Sequence, residues 1–250
     1  MTDPEIDQTR ADIGIVCALR TELSPFMAGC NHVRKYTGNS FTFRGGFLHE
    51  IRIAAVETGI GFARARRATH AMIDAHRPTW ILSCGFSGAL RAGLSVGDVV
   101  MATSIVDTHG HELTVDMTAP SWPGVHSGRL LVTDQVVCTV MEKTHLGTQH
   151  GALAVDLESF AVAQVCREAE TRFIAVRVIS DDSSADLPAE LPAVLQQSGS
   201  GRLGAALGAV WNRPGSVRDL WQLRENAQQA SERLASFLGR LLPQLPCGNR

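Results

Sequence analysis

The chain has 250 residues, of which 44% are hydrophobic and 19% charged, and its formal net charge at pH 7 is −2. This length and composition suit one α/β domain with a sizeable core. Bulk nucleic-acid binding needs a basic face, so the near-neutral balance argues against nucleic acid as a partner. No stretch has the apolar length of a membrane span.

The start of the chain, MTDPEIDQTRAD, is polar and acidic and lacks the apolar region of a signal peptide. We therefore expect residues 1–11 to be a mobile leader and the protein to be cytoplasmic. No pair of cysteines has the spacing of a metal site, which predicts free thiols. The cysteines are Cys17, Cys30, Cys84, Cys138, Cys166 and Cys247.

In the first half of the chain, buried strand patterns alternate with helix patterns. Glycines separate the elements: Gly38-Asn39 and Gly45-Gly46 indicate turns between hairpin strands, and Gly85-Phe86-Ser87-Gly88 closes a strand. The predicted strands are 12–18, 79–84, 99–104 and the hairpin strands of 31–57, and the predicted helices are 19–27 and Gly59-Ile60-Gly61 to about His76.

The second half begins with residues 109–128, which we interpret as a long loop near an active site or a subunit contact. A strand at 130–133 and a helix at 137–146 follow. The C-terminal helices, 210–242, are broken at 213–215, and their apolar positions have helical spacing. Two hypotheses fit this apolar face: it packs on its own domain or a subunit, or it forms a wall for a lipid-bearing substrate.

Between these parts, Gly151–Asp182 has the pattern strand, helix, strand, the βαβ unit of a parallel sheet. Glu158 opens its helix and Asp181 follows its second strand. Both carboxylates then lie at the carboxyl edge of the sheet, where open α/β folds bind ligands. Glu22, Gly59 and the glycines of 85–88 follow other strands and are expected at the same edge.

A dinucleotide site is the nearest alternative use of such glycines. It requires G-x-G-x-x-G/A directly after the first strand, and that strand is followed by Leu19-Arg20. At Gly59-Ile60-Gly61 the sixth position is Arg64, neither Gly nor Ala. We therefore expect no nicotinamide, flavin or other cofactor.

Four segments in this order, IGIVCALRTEL, VETGIG, SCGFSGALRAGLSVGDVV and AVDLES…VRVISD, resemble the nucleoside phosphorylase/nucleosidase family. The resemblance covers about residues 12–185. It implies a single α/β domain, 12–250, with a mixed central sheet flanked by helices in three layers. It also implies an enzyme that cleaves the N-ribosidic bond of a purine nucleoside, with adenine as the expected base. A homodimer or larger homo-oligomer is expected.

The segments GALAVDLESFAVA and WNRPGSVRDLWQL are most similar to the hopanoid-associated phosphorylase branch. This resemblance implies that the substrate is adenosylhopane and that the protein contacts a membrane transiently. Two alternatives remain: a 5′-methylthioadenosine/S-adenosylhomocysteine nucleosidase, and a non-catalytic nucleoside-binding sensor on the same scaffold.

The resemblance also implies roles for individual residues. Asp181 would give a proton to the imidazole ring of the departing base, for which burial should raise its pKa. Glu158 would hold the ribose hydroxyls, and Glu22 would position an attacking water. The remaining expected substrate contacts are Gly85, Phe86, Ser87, Gly88, Gly59, Leu157 and Phe160, with Phe86 or Phe160 stacking on the base.

Four further choices are weighed from the residues alone. Asp156 is expected to cap the helix after it rather than to bind substrate, and Arg177 either orients an acid or forms a structural ion pair. The spacing of His109, His111 and His126 matches no standard metal site, so no metal is expected. Phosphate is a possible co-substrate, held by the helix that follows Gly61 and by cations. The candidate cations are Arg20, Arg44, Arg64, Arg66 and Arg67.

Overall fold

The computed structural model describes residues 9–38, 40–188, 191 and 216–247. Within them, strands and helices alternate through most of the chain. The strands are β1 (Ile13–Cys17), β2 (Asn31–Gly38), β3 (Phe41–Leu48), β4 (Ile51–Glu57), β5 (Trp80–Ala89), β6 (Val99–Asp107), β7 (Glu112–Thr114), β8 (Val125–Val132), β9 (Ala152–Asp156) and β10 (Arg172–Asp181). The helices are α1 (Arg20–Ala28), α2 (Phe62–His76), α3 (Val140–His150), α4 (Ser159–Glu168) and α5 (Ser216–Leu241), with a 3-10 turn at Leu242–Gln244.

All ten strands belong to one mixed sheet in the order β10-β6-β8-β9-β5-β1-β4-β3-β2, with β7 on β6. β10 pairs with β5 as well as with β6, and β9 pairs with both β8 and β5. Together with the β6–β8 pair, these pairings close five strands into a ring. The remaining strands extend from β5 through the parallel pairs β1–β5 and β1–β4.

Helices cover both faces of this sheet. α2 and α4 pack together over one core cluster, which includes Met72 and Phe160. α1 and α5 pack together over the other, which includes Phe26 and Leu234. The predicted α/β class with a mixed sheet between helices is therefore confirmed.

The structure differs from the sequence prediction at two glycine-containing segments. Gly45 and Gly46 lie inside β3, and the turn after that strand is at His49-Glu50. Gly85-Phe86-Ser87-Gly88 is not a turn, because it lies within β5 and pairs with β10 and β9. A glycine-rich stretch can remain extended where neighbouring side chains occupy the space above it. Both predicted turns were therefore wrong.

The structure partly decides between the two hypotheses for the apolar face of the C-terminal helix, which were packing in the core and a wall for a lipid. Ala230, Leu234, Phe237, Leu238 and Leu241 of α5 are all at most 5% exposed and belong to the core. In the described part of the helix, these side chains are therefore not available to a lipid. The predicted break at 213–215 and most of the predicted leader lie outside the described residues. Within those residues, no helix combines the length and apolar character needed to span a membrane.

Candidate active site

Glu22 lies in the first turn of α1 and is 4% exposed. Its Oε1 accepts from the Phe86 amide at 2.9 Å and its Oε2 from the Leu19 amide at 2.8 Å. A Cβ at Gly85 would lie 2.5 Å from Oε1, so only glycine lets the carboxyl approach β5 this closely. Burial raises the pKa of Glu22, and the two amide bonds oppose the shift without cancelling it.

Asp181 meets the same strand three residues further along. A Cβ at Gly88 would lie 2.9 Å from Asp181 Oδ2, so this second glycine also provides space for a carboxyl. The β10–β5 register shifts between Ile179 and Asp181, an irregularity of the kind that redirects a side chain. Ser180 Oγ is 2.9 Å from Asp181 Oδ1 and 3.3 Å from the Ser87 carbonyl oxygen. Gly85 and Gly88 therefore receive the acids of two different elements about 10 Å apart.

Lys143 on α3 is a buried neighbour of Asp181 that the sequence prediction missed. It is 0% exposed, and its Nζ lies 2.8 Å from Asp181 Oδ2. The same Nζ donates to the Asp182 carbonyl at 2.7 Å. Burial, which we expected at Asp181, is thus accompanied by a cation against the carboxyl that was not expected. The only sequence sign was Gly147 one turn later, which packs on Leu90 and marks that helix face as buried.

Arg177 on β10 lies opposite Gly85 in the register and is 2% exposed. Its Nε donates to Asp156 Oδ2 at 2.7 Å, its Nη2 contacts the same carboxylate, and Nη2 also donates to Ser83 Oγ at 2.9 Å. Burial alone would lower the pKa of Arg177, but the charges of Asp156, Glu158 and Glu22 raise it overall. Arg177 is thus the buried counter-ion of Asp156 and lies within electrostatic reach of Glu158 and Glu22.

Asp156 is not the N-cap residue of α4, which is Glu158, but it does bond the first residue of the helix, because it accepts from the Ser159 amide at 3.1 Å and from Ser159 Oγ at 2.7 Å. This contact stabilises the first turn of α4. Its ion pair with Arg177 adds a second role. Asp156 therefore orients both the start of α4 and the central guanidinium.

Glu158 closes the site from the side of α2. Its Oε1 accepts from the Gly61 amide at 2.7 Å, and Gly61 has a φ of 106°, which favours glycine. Burial raises the pKa of Glu158 to about 8, with a further contribution from the charge of Asp156. The first amide of α2, which we expected to be free for phosphate, is thus bound to a carboxylate of the protein itself.

The other residues that we expected to contact the substrate differ in their exposure and in their hydrogen bonds. Ser87 is 4% exposed, and its Oγ is a buried hydroxyl without a hydrogen-bond partner among the described residues. Gly59 adopts a φ of 75° but uses its amide to bind the Ala18 carbonyl. Phe86 and Leu157 are partly exposed, whereas Phe160 is 4% exposed in the core, which leaves little of its ring for a purine. The stacking role of Phe86 and Phe160 stays a prediction.

Of the five cations expected around phosphate, two pair with other acids and two line another cleft. Arg44 pairs with Glu57 at 2.8 Å, and Arg66 pairs with Glu168 at 3.0 Å. Arg64 and Arg67 line a separate cleft of about 490 Å³ near the start of β3. Two of the three histidines pair separately: His111 with Asp107 at 2.8 Å and His126 with Asp98 at 3.4 Å. None of the six cysteines, all of which lie within the described residues, forms a disulfide.

Comparison with known proteins shows the family to which the chain belongs. The phosphorylase superfamily model matches residues 12–124 and 112–243, which together span most of the chain. The chain therefore belongs to the phosphorylase superfamily and is an enzyme of it, as the four sequence segments predicted.

Its relatives share a narrower description. A 5′-methylthioadenosine/S-adenosylhomocysteine nucleosidase of Shewanella sediminis is 24% identical over 214 residues, covering 75% of this chain and 93% of the relative. A nucleosidase of that name from Helicobacter pylori, solved with butyl-thio-DADMe-Immucillin-A, superposes with a TM-score of 0.71 at 20% identity, covering 95% of this chain and 100% of that one. The futalosine hydrolase of Helicobacter pylori superposes with a TM-score of 0.65 at 19% identity, covering 92% and 97%.

Proposed function

We propose that this chain hydrolyses the N-ribosidic bond of a purine nucleoside, with adenine as the base. Three acids support the proposal: Glu22, Glu158 and Asp181 come from separate elements and lie along the carboxyl edge of β1, β5 and β10. Cleavage of this bond builds positive charge on the sugar, which carboxylates stabilise. The related nucleosidases act on substrates of this kind by name.

Each acid has a separate part in the proposed reaction. The bond between the anomeric carbon and the base nitrogen breaks, its electron pair stays on the base, and the imidazole ring of the base receives a proton from Asp181. A water oxygen bonds to the anomeric carbon and gives its proton to Glu22. Glu158 accepts from the ribose hydroxyls, and Ser87, whose buried hydroxyl has no partner among the described residues, would be a further contact for the sugar.

The choice of water over phosphate depends on one observation. The amides of Phe86 and Gly61, which would bind an anion in a glycine-rich site, already bind Glu22 and Glu158. The carboxyl groups of Glu22 and Glu158 occupy these amides, which are therefore not open to a phosphate dianion, and the charge of Arg177 is paired with Asp156. A buried Glu22 of raised pKa is also suited to accept a proton from water.

The experiment is release of adenine from 5′-methylthioadenosine in phosphate-free buffer and again with added phosphate. We expect equal rates and a free reducing sugar as product in both. Strict dependence on phosphate, with a sugar 1-phosphate as product, would refute hydrolysis. Tight binding of the nucleoside without any turnover would instead support the sensor alternative.

The group on the ribose 5′ carbon has two candidates. The related nucleosidases favour a small thioether, while the similarity to the hopanoid-associated branch predicts an adenosyl-lipid such as adenosylhopane. Because the described apolar residues of α5 are in the core, they provide no lipid wall. Turnover of 5′-methylthioadenosine and of an adenosyl-lipid by the same enzyme, compared as kcat/KM, distinguishes them.

A further inference from the structure

Lys143 is a fully buried lysine, and burying a charged side chain is unfavourable unless other groups compensate for it. An ammonium that is 0% exposed has lost its hydration, which costs several kcal/mol unless partners replace the water. Its Nζ has three protons and three oxygen neighbours: Asp181 Oδ2 at 2.8 Å, the Asp182 carbonyl at 2.7 Å and the Ala185 carbonyl at 3.5 Å. Since an ammonium donates and cannot accept, this arrangement fits the charged form.

The contact with Asp181 is specific to one oxygen. Oδ2 of Asp181 is buried. Its contact with Lys143 Nζ is an ion pair whose angles are not those of a hydrogen bond. Oδ1 is bonded to the Ser180 hydroxyl. The ammonium therefore holds Oδ2, while Oδ1 is held only by the hydroxyl of the neighbouring residue, Ser180.

We propose that Lys143 is a positioning residue for proton transfer: it orients the Asp181 carboxyl and stabilises the negative charge left on it when its proton passes to the departing base. The inference rests on the proposed function, in which Asp181 is the acid. Only the charged product of the transfer gains from an ammonium 2.8 Å away, so the contact favours the transition state over the ground state. No further reactant is needed, because solvent returns the proton after the base has left.

A purely structural role is the competing explanation, and the structure provides a control for it. The segment after Asp181 is also tied to the start of α3 by Asp186, whose Oδ1 accepts from the Val140 amide at 2.7 Å, and by the Leu187 amide, which donates to the Cys138 carbonyl at 2.8 Å. Asp186→Asn weakens this attachment without touching Asp181. It is therefore the matched control for loss of the tether alone.

The test compares leaving groups in Lys143→Gln, which removes the charge but keeps a donor for the carbonyl of Asp182. On 5′-methylthioadenosine, whose base needs a proton, we expect kcat to fall about 10²-fold or more with little change in KM. On 4-nitrophenyl β-ribofuranoside, whose phenolate leaves without a proton, we expect less than about a 5-fold fall. If the wild type does not accept this riboside, a nucleoside methylated on the imidazole nitrogen replaces it, because its base already leaves as a neutral molecule. Asp186→Asn should change both substrates by the same factor.

Equal losses on both substrates in Lys143→Gln would overturn the inference and leave a structural lysine. If this variant does not fold, Lys143→Met, which retains most of the packing volume, is compared in the same way. A wild-type enzyme that releases no base would refute the proposed function, and the inference with it. An active wild type with an unchanged leaving-group ratio in the variants would refute the inference alone.

Discussion

The Phe86 amide donates to Glu22 Oε1 over 2.9 Å, joining the first helix to the strand that carries the candidate sugar contacts. The bond exists because Gly85 has no side chain where Oε1 lies. An acid from the start of the chain is thus fixed against a segment more than 60 positions later. The position of Glu22, the proposed base for the attacking water, therefore depends on a glycine of another element.

Gly85→Ala is expected to displace Glu22 and to lower kcat about 10²-fold, because a Cβ would lie 2.5 Å from Oε1 and misplacement by about 1 Å has effects of this size. Adenine release measures it. Gly239→Ala on α5 is the control: no atom lies within 4 Å of its added Cβ. It should keep full activity and gain about 0.5–1 kcal/mol of helix stability. Full activity in Gly85→Ala would show that the function of Glu22 does not depend on the space beside Gly85.

Glu22→Gln is expected to lower kcat at least about 10²-fold, because an amide cannot accept the proton of the attacking water. One of the two amides that now bind Glu22 would face an NH2 group, costing about 1–3 kcal/mol of stability. Urea unfolding separates this loss from the loss of catalysis. Glu232→Gln, an exposed change on α5, should alter neither quantity. A Glu22→Gln enzyme with more than half of wild-type activity would contradict the role of Glu22.

Glu158 makes stability depend on pH in a defined direction. Its pKa is raised to about 8 in the folded state, from an ordinary value near 4.5, so the folded protein keeps a proton that the unfolded chain releases. Stability should therefore fall as pH rises from about 4.5 to about 8. We expect the melting temperature to decrease across this window and the decrease to be smaller in Glu158→Gln.

Glu168→Gln serves as the matched change for Glu158→Gln, since Glu168 is also on α4 but is half exposed and pairs with Arg66. It should leave the slope of melting temperature against pH as in the wild type. A Glu158→Gln slope equal to that of the wild type would show that Glu158 is not the titrating group.

Arg177→Met should be the most destabilising of these changes, by about 3–5 kcal/mol, because it leaves buried Asp156 without its counter-ion. The double variant Asp156→Asn/Arg177→Met should lose less than the sum of the two single variants. Arg172→Met, on the same strand, removes only a guanidinium 5.3 Å from the Trp80 ring and should cost about 0.5–1 kcal/mol. Equal losses in the two arginine variants by urea unfolding would argue against Arg177 as the buried counter-ion of Asp156.

The α/β class and most elements could be predicted because hydrophobic periodicity depends on local sequence. The helix predicted up to His76 ends there, and the order strand, helix, strand of 151–182 is present. The parallel βαβ unit predicted for this segment was wrong, because β9 is antiparallel to β5 whereas β10 is parallel to it. The turn predicted at Gly45 and Gly46 was wrong because glycine permits the backbone angles of a turn but does not have to adopt them. The chain turns at His49-Glu50 instead, where His49 adopts a φ of 54°.

The acids of the site could be named from sequence, but their environments could not. A strand that ends in Ser-Asp indicates where Asp181 lies, but nothing local indicates that Lys143, 38 positions earlier, would lie 2.8 Å from it. Likewise, the glycines of 85–88 were expected to admit a ligand, and the structure uses Gly85 and Gly88 to admit carboxyls of the protein. Such contacts depend on tertiary packing, which a single sequence does not specify.

Both ends of the described fold meet at the first residue of β5. The Trp80 amide donates to the Asp12 carbonyl at 3.2 Å, and the Trp80 indole donates to the Pro246 carbonyl at 3.3 Å. Gly88 is eight residues further along this strand, about 26 Å away. A fluorescent label or an immobilising linker attached near Asp12 or Pro246 would thus lie at the pole opposite the acids and would leave the approach of a nucleoside unobstructed.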